Sequence, residues 1–200
     1  MPAMLEILYR RPARCMPALR CGIEIKPMQS KTKSFVIIAC ISAAVIALDQ
    51  YTKYLICAKL GLYSRIEVIP GFLDIIHIRN SGVAFGFLKG FGSQYKTLSL
   101  IGVAGVAVFL LGFLVSQVRR EQKLQAFSLA LILGGAIGNI IDRFRLGEVI
   151  DFIDAQWQGL YHWPAFNVAD MAISIGIVLL LADELLLRKK PALQKKAVHK

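Results

Sequence analysis

Four long apolar runs constrain this chain more than any other feature. Ser34–Leu48 has 15 uncharged residues, Thr97–Val118 has 22 and Leu124–Ile141 has 18, and a fourth apolar stretch runs from about Asn167 to Leu187. A helix rises about 1.5 Å per residue, so 18 to 22 residues cross a hydrocarbon core of ~30 Å. The first run covers only about 22 Å, so its helix must continue through Asp49 and Lys53, giving a span over about 34–56. Asp49 and Lys53 stand at i and i+4, where they can pair. With 56% hydrophobic residues and 18% charged ones, the chain is an integral membrane protein.

The net charge of +11 could suggest a nucleic-acid partner, but its placement argues against one. Sixteen of the 24 Lys and Arg, with three of the 13 acids, fall before the first span, between the second and third, or after the fourth, and two more acids, Asp183 and Glu184, lie at the inner end of the fourth. The opposite side holds eight of each sign and nets zero. Under the positive-inside rule this gives four transmembrane helices with N and C termini cytoplasmic. Three parts follow: a basic leader over 1–33, broken by prolines and expected to be disordered, a four-helix membrane domain over 34–187, and a basic tail over 188–200. The leader is not read as a secretory signal, because the apolar run after it ends in Asp49-Gln50 without a small-residue cleavage site. Cys15, Cys21, Cys40 and Cys57 form no CxxC pair, so zinc or redox chemistry is not expected.

Between spans, Arg65–Arg79 (RIEVIPGFLDIIHIR) is β-branched around Pro70-Gly71, which predicts a short hairpin with His77 as a strand residue. Gly134, Gly135 and Gly138 on the third span permit close helix approach. Asn139, Asp142 and Arg143 form one stripe at its outer end, and a network that only ties helices together would explain them too. Residues 144–166 are read as an outer loop, whose aromatics suit the headgroup level. Asn167 fits a helix N-cap, with Asp170 at N3 in a variant capping box, which is also a structural reason for that carboxylate.

Ionisable groups at membrane depth are costly, at least ~2.5–3.5 kcal/mol each at the centre, so each needs a reason. Here Asp49, Lys53, Asn80, Asn139, Asp142, Arg143, Asp151, Asn167 and Asp170 all gather at the outer ends of spans or in outer segments. No HExxH or CxxC pair offers a metal site, and no GxSxG offers a serine nucleophile. Asp151 and Asp170 remain as paired carboxylates, one able to keep a proton while the other activates water. The helix start favours the charged form of Asp170, which points to it as the base and Asp151 as the acid, although the sequence leaves the two roles open. Two other classes compete: a small non-enzymatic transporter or assembly factor using the acids as an ion relay, and a lipid-headgroup hydrolase. A relay predicts charges strung across the membrane depth, whereas the second span carries none between Lys96 and Arg119.

Five stretches in order then carry a resemblance. They are LDQYTKY around Asp49 and Lys53, RNSGVAFGF around Asn80 and Gly82, GGAIGNIIDR, EVIDF around Asp151, and PAFNVAD ending at Asp170. Together, over residues 34–187, they resemble the bacterial lipoprotein signal peptidase (signal peptidase II) family of intramembrane aspartic proteases. The resemblance implies removal of the signal peptide just before the diacylglyceryl-modified cysteine of a prolipoprotein, at the outer face of the inner membrane. It matches Asp151 and Asp170 to the catalytic aspartates, and Asn139, Arg143 and Asn167 to residues lining the site. Asn80 and Gly82 lie on the neighbouring loop, Asp142 supports the site, and Asp49, Lys53 and Gly135 are structural or accessory. A small β-cradle and a mobile flap after the first span are implied as well. The expected partners are the prolipoprotein and membrane lipids; the expected state is a monomer without metal or cofactor. The leader before Met28 departs from the family, which starts close to the first span, and no function is assigned to it.

Overall fold

The apolar runs become helices, as their length and composition require. The computed structural model describes residues 29–82, 93–119 and 121–187. Helix α1 spans Gln29–Lys59, α2 Ser93–Gln117, α3 Lys123–Leu146 and α4 Val168–Ala182. The leader, the tail and the expected flap, apart from Ser81 and Gly82, lie outside the described residues.

Helix α3 is the hub and packs against α1, α2 and α4. Gly135 makes its approach to α4 possible: a Cβ there would collide with the carbonyl oxygen of Ala169 and with Ile173. Gly134 faces Ser42 and Val45 of α1 at similarly short range. The bundle is apolar outside, and its interior joins an apolar cluster around Ile38, Val115 and Leu129 to a polar one. Its largest fully buried side chains include Lys53, Asn167, Asp49 and Asp151, while Phe35, Val103, Phe109 and Phe113 are exposed. A soluble domain sorts its residues the other way, so this exterior is built for lipid.

Three described helices are long and apolar enough to cross a membrane: Ser34–Lys59, Thr97–Gln117 and Lys123–Leu146. The fourth expected span is shorter as an α-helix. Its start is fixed by a cap at Asn167, and after Ala182 it widens into a π-helical turn over Asp183–Leu187.

The predicted hairpin is present as β1 (Arg65–Ile69) and β2 (Leu73–Asn80), with His77 on β2. It is only half of the sheet. The segment read as an outer loop supplies β3 (Val149–Trp157) and β4 (Tyr161–His162), giving an antiparallel sheet in the order β1-β2-β3-β4. Asp151 therefore lies on a strand, not on a loop. Its strand pairs with β2, Asp151 opposite Ile78 and Val149 opposite Asn80. That partner lies about seventy residues away, so local turn signals do not announce it.

Candidate active site

Helix α4 begins where the polar groups converge. Asn167 is its N-cap: its side-chain oxygen accepts from the Asp170 amide at 3.0 Å, and its own amide donates back to Asp170 Oδ2 at 3.3 Å. This reciprocal pairing is the expected capping box. The Asn167 Nδ2 group faces the opposite way and donates to Asp151 Oδ1 at 2.7 Å, with longer approaches to Ile150 O and Asn139 Oδ1. One asparagine thus touches both carboxylates, through its side chain at Asp151 and through cap geometry at Asp170.

The remaining contacts to the pair are neutral amides. Asn139 on α3 donates from Nδ2 to Asp170 Oδ1 at 2.7 Å. Asn80, at the end of β2, donates from Nδ2 to Asp151 Oδ2 at 2.9 Å, while its Oδ1 accepts from the Gly82 amide at 2.8 Å. That short turn needs a positive φ at Gly82, observed at 74°, which glycine adopts without strain. The same amide therefore fixes one oxygen of Asp151 and the start of the following loop.

The two carboxylates differ in exposure. Asp151 is 1% exposed, whereas Asp170 is half-buried. Burial, reinforced by the charge of Asp170, raises Asp151 from an ordinary 3.8 to about 6, against the lowering effect of the Asn80 and Asn167 hydrogen bonds and of Lys53. The Arg143 guanidinium lies within electrostatic reach of Asp170, Asp151 and Asp142, and its Nη1 donates to Asn139 O at 3.4 Å.

Beneath this pair lies a second polar cluster. The Lys53 ammonium uses all three donors: Asp49 Oδ2 and Asp142 Oδ2, each at 2.8 Å, and Asn139 Oδ1 at 3.0 Å. Asp49 Oδ1 also accepts from the Ala169 amide at 3.0 Å, capping the first turn of α4 from α1. Asp142 Oδ2 accepts from the Ile150 amide at 3.3 Å, tying α3 to β3 just before Asp151. The cluster thus reaches both aspartates through the backbone that carries them.

All the residues singled out in the sequence meet here except Gly135, which acts one turn away at the α3–α4 contact. One residue was missed. Gln50 donates from Nε2 to Asp142 Oδ1 at 2.9 Å and to Asp49 Oδ2 and Gly138 O, each at 3.2 Å. Its signal was available: a polar side chain beside Asp49, one turn from Lys53, on a helix otherwise facing lipid. His162 does not join the pair; its ring nitrogen lies 3.4 Å from Asp154 on the sheet. Among the described residues, no group of three or more His, Cys, Asp or Glu side chains could hold a metal ion.

Comparison with known proteins gives one consistent answer. Residues 41–186 match a family model described as Signal peptidase (SPase) II. A lipoprotein signal peptidase of Syntrophotalea carbinolica is 46% identical over 151 residues, covering 76% of this chain and 92% of that protein. One from Geobacter metallireducens is 46% identical over 147 residues, covering 74% and 89%. One from Listeria monocytogenes is 43% identical over 141 residues, covering 70% and 88%. A solved bacterial membrane enzyme superposes with a TM-score of 0.66 at 32% identity, covering 78% of this chain and 94% of that one.

Proposed function

Since this chain belongs to the signal peptidase II family and is a membrane-embedded prolipoprotein signal peptidase, we propose that Asp151 and Asp170 are its catalytic pair and that it is an aspartic endopeptidase. The observation that carries this reading is the shared amide frame. Asn167 contacts both carboxylates, Asn139 and Asn80 hold one each, and among the described residues no Lys or Arg is hydrogen-bonded to either. Such a pair is oriented yet still free to exchange a proton.

Hydrolysis then follows from the two environments. Asp170, half-buried on the first turn of α4, lies where helix amides favour negative charge and where water can reach it. It takes a proton from the attacking water. Asp151, raised to about 6 by burial, keeps its proton to a higher pH than an ordinary carboxyl and gives it to the substrate as the peptide bond breaks. Arg143, within reach of both acids, is suited to the negative charge that develops on the scissile carbonyl oxygen. Asn80 and Gly82 shape the adjoining loop, Asp142 supports the site, and Asp49, Lys53 and Gly135 hold its framework.

On this reading the substrate is a diacylglyceryl-modified prolipoprotein, cut just before the modified cysteine. Charge asymmetry supports four spans with cytoplasmic termini, with 34–187 as the membrane domain and 1–33 and 188–200 as flanking segments. It also supports a site at the outer face of the membrane, and the same proposal takes the membrane as the inner one and the enzyme as a monomer among lipids. The test is processing of such a prolipoprotein by detergent-purified protein. Asp151→Asn and Asp170→Asn should each lower turnover at least about 10³-fold while leaving the protein folded. Near-normal turnover by either variant sinks the pair.

A further inference from the structure

The sheet is two-faced, and its faces are exposed the wrong way for water. Side chains of cross-strand partners share a face. Glu67, Asp74 and Asp154 are aligned across β1, β2 and β3, and Gln156 stands opposite His162, so one face is polar. The other pairs Leu73 with Ala155, Ile75 with Ile153 and Trp157 with Tyr161, and Phe166 bridges to Ile153. The middle of the polar face is hidden, with Asp74, Asp154 and Gln156 each at most 9% exposed, while Glu67 and His162 at its edges are exposed. On the apolar face Trp157, Tyr161 and Trp163 are 58–60% exposed. With Phe72, Ala155 and Phe166, and with Gln156 reaching its edge, they line an almost wholly apolar trough of about 370 Å³.

Two facts identify what covers this face. The sheet grows from one end of the bundle: β1 begins five residues beyond α1, β3 two residues beyond α3, and Phe166 immediately precedes the α4 cap. At that same end the helices expose Tyr51 and Tyr54 of α1, Tyr95 in the first turns of α2, and Phe144 in the last turn of α3. Exposed Tyr and Trp at the ends of apolar spans mark the headgroup level. The apolar face of the sheet continues that aromatic ring outward from the lipid-facing helices.

We propose that this face docks on the outer leaflet, with the trough seating the glycerol–acyl boundary of a bilayer phospholipid. Asp151 stands two residues before Ile153 and therefore on the same face. At about 3.3 Å per residue it lies roughly 20 Å along β3 from Trp157. Docking then sets the depth of Asp151 in the interface. This consequence rests on Asp151 being catalytic; the docking itself does not.

The chain's two tryptophans both lie on this face, which makes its fluorescence a direct reporter. The full chain is reconstituted in phosphatidylcholine–phosphatidylglycerol vesicles, with or without phosphatidylcholine brominated high on its acyl chains. Bromine should quench at least half of the emission, and acrylamide should quench little. Asp151→Asn should behave identically, so the reading stands apart from the fate of the catalytic pair. Trp157→Ser with Trp163→Ser should raise KM for a vesicle-embedded diacylglyceryl prolipoprotein about tenfold and leave kcat within about twofold. Emission quenched by acrylamide but not by bromine overturns the proposal. So does bromine quenching that vanishes when excess diacylglyceryl peptide is added, because the trough then belongs to the substrate.

Discussion

Two polar clusters share this end of the bundle, built from the same residue types but with different partners. Around Lys53, Asp49 and Asp142 face an ammonium whose three donors are all used. Around Asn167, the hydrogen bonds to Asp151 and Asp170 among the described residues come from amides alone, with Arg143 nearby but not bonded to either. A buried carboxylate satisfied by a cation is locked into an ion pair, because removing either member strands the other. A buried carboxylate satisfied by amides can gain or lose a proton without breaking such a pair. The difference separates framework from chemistry more clearly than burial does, since Asp151 is as buried as Asp49 and Asp142.

The largest effect that could break this comparison comes from exchanging the two roles. Lys53→Met leaves Asp49 and Asp142 without their cation and removes a donor from Asn139, so stability should fall by about 3–5 kcal/mol. In detergent this would appear as a strongly lowered Tm or as failure to recover folded protein, with activity lost in consequence. Asp151→Asn should do the reverse, keeping Tm near that of the parent and losing turnover. A stable but inactive Lys53→Met variant would place Lys53 in the chemistry and erase the distinction.

A second, smaller effect concerns the cap. Asn167→Ala removes both the cap at the Asp170 amide and the donor to Asp151 Oδ1. Loss of a cap alone costs about 0.5–2 kcal/mol. Turnover should fall much further than this stability loss explains, because both carboxylates lose their shared orientation. Asn167→Asp keeps a capping oxygen but loses the donor, so it should recover Tm without recovering activity. Recovery of both together would reduce Asn167 to a cap.

Much of this was legible in the sequence because membrane-spanning chains are strongly constrained. Apolar runs of 18 to 22 residues admit little but helices, and polar groups at their ends need a reason. That logic found α1, α2, α3, the capping box at Asn167 and the convergence of Asp151 with Asp170. It missed β3 because a strand buried over most of its length shows weak alternation, and its partner is remote in sequence. Gln50 was overlooked because a neutral amide is overshadowed by the charged pair Asp49 and Lys53, although its place beside them was a usable signal. The π-helical turn after Ala182 has no composition that distinguishes it from the end of an α-helix. The inverted faces of the sheet depend on the register between β2 and β3, which only the fold provides.

The finest test concerns the proton on Asp151. Its position at about 6 in the folded chain, above the ordinary 3.8, means that the folded state binds more protons than the unfolded one between those values. The contribution of this group to stability is therefore most favourable below about 4, and it declines as pH rises through about 6. Comparing Tm from pH 4.5 to 7.5, the parent should lose more than Asp151→Asn does; equal slopes would remove the perturbed proton. The same proton should shape catalysis, with kcat/KM falling on the alkaline side as the acid form is lost. Asn80 donates to the charged form and so holds the value down. Asn80→Ala should thus move that alkaline limb upward by about half to one pH unit, the equivalent of one hydrogen bond of about 1 kcal/mol. A limb that stays in place, or moves down, would mean that the proton it reports is not held by Asp151.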